Sequence, residues 1–187
     1  MFTAADIIVD SDKKIREKSI EVKIPLSVND KKLATALFEY VLNSTKGNVE
    51  QGENYKPAVG IAAIQVGIPK KILAIAYDSG DEEENVEVRF LLANAKIIQN
   101  SVRYGYLSSG EGCLSVEASH EGYVMRAHKV KVRAFDILTN KERIIEAQGY
   151  LAIVLQHEID HFNGILYYDR INKNNPFQIL ENSVEIT

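Results

Sequence analysis

Hydrophobic residues recur at helical spacing in two stretches of the chain and alternate with polar ones through much of the rest. Leu33, Leu37, Tyr40 and Val41 follow Ser27-Val28-Asn29-Asp30, whose side chains suit a helix start, so a first helix is expected to run on to Gly47. An irregular stretch with Gly52 and Pro57 comes next. Ile72 to Tyr77 reads as a strand, and the acidic Asp78 to Asn85 as an exposed hairpin tip. Val86 to Ala93 and Lys96 to Tyr106 supply more strand. Lys129 to Ala134 alternates cleanly, and Arg143 to Ala147 returns after a turn at Leu138-Thr139-Asn140.

A second helix is marked by Leu151, Val154, Leu155 and Phe162, with Gly149 ahead of it and Gly164 placed to end it in a left-handed cap. Most of its circumference is apolar, which puts it in the middle of a domain. The pattern predicts an α+β fold: antiparallel β-sheets packed around this late central helix, with an N-terminal helix.

At 187 residues and 45% hydrophobic content the chain, residues 1–187, is expected to form one domain with a sizeable core. No run of apolar residues has the length of a membrane span, and Met1 to Asp6 lacks the basic start and apolar stretch of a secretory signal. One cysteine precludes an internal disulfide, in keeping with a reducing cytoplasm. The formal charge of −4 provides no general attraction to nucleic acid. The run Lys13-Lys14-Ile15-Arg16-Glu17-Lys18 reads as a solvated face.

The late helix also carries His157-Glu158-Ile159-Asp160-His161. Four residues in an α-helix amount to about 40° of rotation and about 6 Å of rise, so both imidazoles leave one face and can grip a single ion. Glu158 points roughly 100° away, where it can meet a water beside the ion without ligating it, the position a general base needs. A catalytic ion that keeps an open position needs a third protein ligand. A downstream histidine is excluded, since Tyr167 stands where His-x-x-Gly-x-x-His would require it. Glu181, twenty residues after His161, has a tolerable spacing, although Pro176 intervenes. Cys113 is the other candidate, a soft thiolate suited to zinc or ferrous iron, in a loop rich in glycine and serine where backbone can approach a substrate closely.

Read together, Gly60-Ile-Ala-Ala-x-Gln, Glu111-Gly-Cys-Leu-Ser and Gln156-His-Glu-Ile-Asp-His-x-Asn-Gly resemble, in order and spacing, the three signature motifs of the peptide deformylases. The resemblance spans residues 57–169. It implies Cys113, His157 and His161 as metal ligands, Glu158 as general acid and base, and the Gln65 amide with the Leu114 backbone N–H as oxyanion donors. It implies an N-formyl-Met nascent peptide as substrate, formate and a free amine as products, and Fe²⁺ as native metal, replaceable by Zn²⁺, Ni²⁺ or Co²⁺. The peptide would add as a strand between Val59-Gly60 and Gly110-Gly112, with its methionine side chain in a pocket formed by Tyr150, Ile153 and Val154.

Three departures stand out. Ala58 replaces the glycine that usually opens the first motif. Val124-Met125-Arg126 replaces Val-Pro-Arg, leaving Arg126 free to pair with Glu111. The tail from Asn174 to Thr187 has no Lys or Arg, so a contact with the ribosome through a basic C-terminal helix is not expected. Two other readings remain: a His-Glu-x-x-His metallopeptidase with Glu181 as third ligand, and a non-catalytic metal- or peptide-binding protein on the same fold, for which Ala58 is the hint.

Overall fold

The computed structural model describes residues 1–45, 54–79 and 86–187. Its frame is a five-stranded antiparallel sheet in the order β1-β2-β3-β6-β7: β1 Gly60–Ala62, β2 Ile72–Ser79, β3 Val86–Asn100, β6 Lys129–Asp136 and β7 Lys141–Gln148. A smaller sheet has the order β5-β4-β8, from β4 Tyr104–Leu107, β5 Arg126–Ala127 and β8 Val184–Ile186. Helix α1 spans Val28–Thr45 and α2 spans Gly149–His161.

Strand β2 explains the layering. Successive side chains point to opposite faces, and here both faces are apolar. Ile72, Ala74 and Ala76 pack with Leu33, Ala34, Leu37, Tyr40 and Val41 of α1. Leu73 and Ile75 pack with Ala152, Val154, Leu155 and Ile159 of α2, together with Val130, Val132 and Ile145 from β6 and β7. The two helices thus lie on opposite faces of one sheet, and α2 occupies the central core that its all-round apolarity demands.

Local chemistry sets the boundaries. Ser27 Oγ accepts from the Asp30 N–H at 3.1 Å and donates to the Asp30 carboxylate at 2.6 Å, which starts α1 where the sequence suggested. Its expected end at Gly47 falls in 46–53 and the expected hairpin tip largely in 80–85, both outside the described residues. After α2, the Gly164 N–H donates to His161 O and the Ile165 N–H to Asp160 O, with Gly164 at φ +69°, a left-handed helix cap. A Cβ on Gly164 would also collide with the Arg16 backbone carbonyl, so the N-terminal segment can press against this cap only because the residue is glycine.

Three expectations change. The strand read as Lys96 to Tyr106 is two: β3 runs on from Val86 to Asn100, and residues 101–103 break before β4, in the other sheet. The break expected before Lys96 is a register shift between Ala93 and Lys96, with Asn94 at φ +55° and its side-chain amide bonded both ways to the Val22 backbone. Pairing is not antiparallel throughout, because β8 runs parallel to β4, and Tyr106 donates to Glu185 at 3.1 Å. No helix among the described residues is long and apolar enough to cross a membrane.

Leu37 is fully buried between α1 and β2, whereas Val102 is 94% exposed. Leu37→Ala is expected to cost about 2–5 kcal/mol of unfolding free energy and Val102→Ala less than about 0.5 kcal/mol, both read from urea midpoints at constant m-value.

Candidate active site

Two neighbouring chain segments are fastened to α2, and the candidate residues sit where they meet. Gln156 fastens β5: its Oε1 accepts from the Ala127 N–H at 3.0 Å and its Nε2 donates to the Ala127 carbonyl at 2.8 Å. Arg126, also on β5, reaches both ways from a buried position. Its Nε and Nη2 donate to the two Glu111 oxygens at 2.5 and 2.9 Å, and its Nη1 donates to Asp160 of α2 at 2.9 Å. Arg170 closes a second fork on Asp160. The expected Arg126–Glu111 pair is therefore present, as one part of a longer network.

Glu111 does more than balance Arg126. Its Oε2 lies 2.8 Å from His157 Nδ1, which orients the imidazole and turns Nε2 toward Cys113 and His161. Burial alone would raise the Glu111 carboxyl, but the Arg126 charge and the His157 hydrogen bond hold it down at about 2, so it remains an anion. His161 Nε2 is 3.4 Å from Cys113 Sγ, and the ligand atoms of Cys113, His157 and His161 all lie within 4.8 Å of one another. Donors around a tetrahedral zinc stand about 3.5 Å apart, so a small contraction lets the three share one ion. A thiolate and two imidazoles suit a divalent transition metal. This is the one such donor group among the described residues; Glu181 is exposed in the turn before β8 and takes no part in it.

Glu158 is buried, and its Oε2 has no hydrogen-bond partner. Burial pushes its carboxyl up to about 7, against the opposing charges of His157 and Arg126. Gly60 of β1 makes room for it: a Cβ there would stand 2.5 Å from Glu158 Oε1. The need for glycine in the first motif therefore arises at least here from close approach. Gln65 lies in the 3₁₀ turn Ala63–Val66 that follows β1, and its amide nitrogen is 3.6 Å from Cys113 Sγ.

These residues open onto one cleft of about 670 Å³. Val59, Gly60, Gln65, Gly112, Cys113, Leu114, Tyr150, Ile153, Val154, His157 and Glu158 all line it, while His161 is buried beside Cys113. Ala58 is on the same wall, its carbonyl accepting from Ser44 Oγ at 3.1 Å. Sequence reasoning passed over Tyr77, which also lines the cleft and meets Tyr150 edge to face, with ring centroids 5.2 Å apart. Burial pushes the Tyr77 phenol up to about 12. Its one signal was its place at the end of an otherwise buried strand. The link from Glu111 to His157 joins a loop to a helix 46 positions away, which no local pattern in the sequence signals.

Glu111→Gln should weaken metal binding about 10- to 100-fold in chelator competition. Gly60→Ala should displace the Glu158 carboxylate, so that the protein retains its metal while kcat falls; unchanged kcat would show that Glu158 does not need the space.

The profile of a family described as polypeptide deformylase matches residues 4–177. A peptide deformylase of Oceanobacillus iheyensis is 41% identical over 186 residues, covering 100% of both chains. One from Listeria monocytogenes is 42% identical over 176 residues, 94% of each. Among solved structures, the peptide deformylase of Ehrlichia chaffeensis superposes with a TM-score of 0.70 at 32% identity, covering 90% of this chain and 88% of that one. A Met-Ala-Ser-bound class I type b peptide deformylase of Acinetobacter baumannii has a TM-score of 0.68 at 29% identity, covering 88% and 96%.

Proposed function

The chain belongs to the polypeptide deformylase family, whose enzymes are hydrolases that remove the N-terminal formyl group of nascent peptides, and from that premise we propose how its residues divide the work. The observation that carries the proposal is the Cys113–His157–His161 cluster beside the unpartnered Glu158 Oε2, with Cys113, His157 and Glu158 lining one cleft.

The family implies a metal ion; Cys113, His157 Nε2 and His161 Nε2 would hold it, with Fe²⁺ as the native ion and Zn²⁺, Ni²⁺ or Co²⁺ as replacements. When bound, the ion supplies a Lewis acid that lowers the pKa of water toward neutrality. Glu158 takes the proton released as the water oxygen bonds to the formyl carbon. It then returns that proton to the departing nitrogen as the C–N bond breaks, giving formate and a free amine. The Gln65 amide and the Leu114 backbone N–H donate to the formyl oxygen as negative charge builds there.

The peptide lies as an added strand between Val59-Gly60 and Gly110-Gly112, and its methionine side chain enters the apolar pocket of Tyr150, Ile153 and Val154. The relative solved with Met-Ala-Ser supports a peptide in this cleft. Reading backbone along the strand and one apolar side chain at its start suits a substrate whose later residues vary. Residues 1–187 act as one catalytic domain in the cytoplasm. Residues 174–187 carry no Lys or Arg, so a basic C-terminal helix is not the means by which this chain would meet the ribosome.

The test is formate release from formyl-Met-Ala-Ser with metal analysis on the same anaerobic, iron-loaded sample. Glu158→Gln should keep its metal and lose about 10²- to 10⁴-fold in kcat, whereas Cys113→Ser should lose the metal. Full metal occupancy in Cys113→Ser, or formate release by Glu158→Gln at the unaltered rate, would remove the assignment.

A further inference from the structure

Gln65 is anchored at both ends of its amide. The Ala62 N–H donates to Oε1 at 2.8 Å, and only the oxygen can accept there, which settles the amide orientation. The nitrogen then carries two protons to be placed. It lies 3.3 Å from Ser115 Oγ and 3.6 Å from Cys113 Sγ. Ser115 is 0% exposed, directly after Leu114 in the loop that also carries Cys113. The reaction as described makes no use of it, and a hydroxyl taken out of water without a bonded partner is costly. Gln65 is the partner the structure gives it.

We infer that Ser115 is a positioning residue for the oxyanion donor. The terminal torsion of a glutamine side chain is broad, so one hydrogen bond to Oε1 leaves the NH₂ group free to swing. By accepting one amide proton, Ser115 Oγ removes that freedom and directs the other proton toward the metal ligands. In the free enzyme that second N–H rests on Cys113 Sγ at a long distance. During the reaction it shifts to the formyl oxygen, a stronger acceptor once charge develops. A donor already aimed before charge appears costs no reorganisation at that moment. The inference rests on the reading of Gln65 as an oxyanion donor.

The experiment combines Ser115→Ala with Gln65→Ala in metal-loaded protein, assayed with formyl-Met-Ala-Ser. Ser115→Ala should lower kcat roughly three- to tenfold, with KM and metal content unchanged. In the Gln65→Ala background it should change kcat by less than about twofold, because the group it positions is gone. Ser115→Thr and Ser115→Val have the same shape and isolate the hydroxyl if alanine unsettles the loop; threonine should retain activity that valine loses. In ¹⁵N spectra of the zinc-loaded protein, the two Gln65 side-chain amide protons should exchange faster with solvent in Ser115→Ala. Equal losses from Ser115→Ala in both backgrounds, or valine as active as threonine, would overturn the inference and leave Gln65's role standing. Undiminished kcat in Gln65→Ala would overturn both.

Discussion

The fork between Arg126 and Glu111 is the contact on which the geometry of the site depends. It joins three segments far apart in sequence: the loop with Cys113, strand β5, and helix α2 through Asp160 and His157. A buried ion pair is a poor source of net stability, since desolvation consumes most of its Coulombic gain. Its value lies in direction. Arg126 offers five donors in a rigid plane, and when two are spent on Glu111 and one on Asp160, the loop can take only one height along the helix. Apolar packing alone would allow the loop to slide.

Packing provides the complementary constraint. Helix α2 is nearly apolar all round, so the core accepts it readily, yet Gln156, His157, Glu158, Asp160 and His161 bring polar groups in with it. Most are satisfied in pairs: Gln156 by the Ala127 backbone, His157 by Glu111, Asp160 by two arginines. The exceptions are a carboxylate oxygen of Glu158 and Nδ1 of His161. Buried polar atoms without partners are uncommon in folded proteins; besides Ser19 Oγ and His128 Nδ1, which lie elsewhere, those found among the described residues are these two, within the donor cluster and beside it. The adjoining sheet makes the same allowance with the missing side chain of Gly60.

Legibility from sequence followed the range of the forces involved. Both helices were readable because capping side chains and 3.6-residue periodicity act within a few positions, as at Ser27 and Gly164. The β6–β7 hairpin was readable for the same reason: Asp136 accepts from the Leu138 and Thr139 N–H groups and shapes its turn locally. Strand β1 was overlooked because three residues cannot display a period, and β8 because its parallel partner lies about 80 positions away. The bulge at Asn94 answers to Val22, which no local pattern discloses. Within the site, spacing on one helix gave His157, Glu158 and His161. Cys113 needed a choice between two candidates, and Gln65 and Leu114 rested on resemblance. Ser115 and the second role of Glu111 depend on contacts between loops, to which periodicity is blind.

The parallel pairing of β8 with β4 has a consequence for how the protein is made. Strand β4 leads into the Cys113 loop, and it is flanked on one side by β5 and on the other by Val184–Ile186. Translation delivers the metal-helix residues well before it delivers that outer flank. The segment that leads into the Cys113 loop is therefore framed on both sides only after residues 184–186 have joined it, so the order of synthesis makes this flank a later support for the loop than α2.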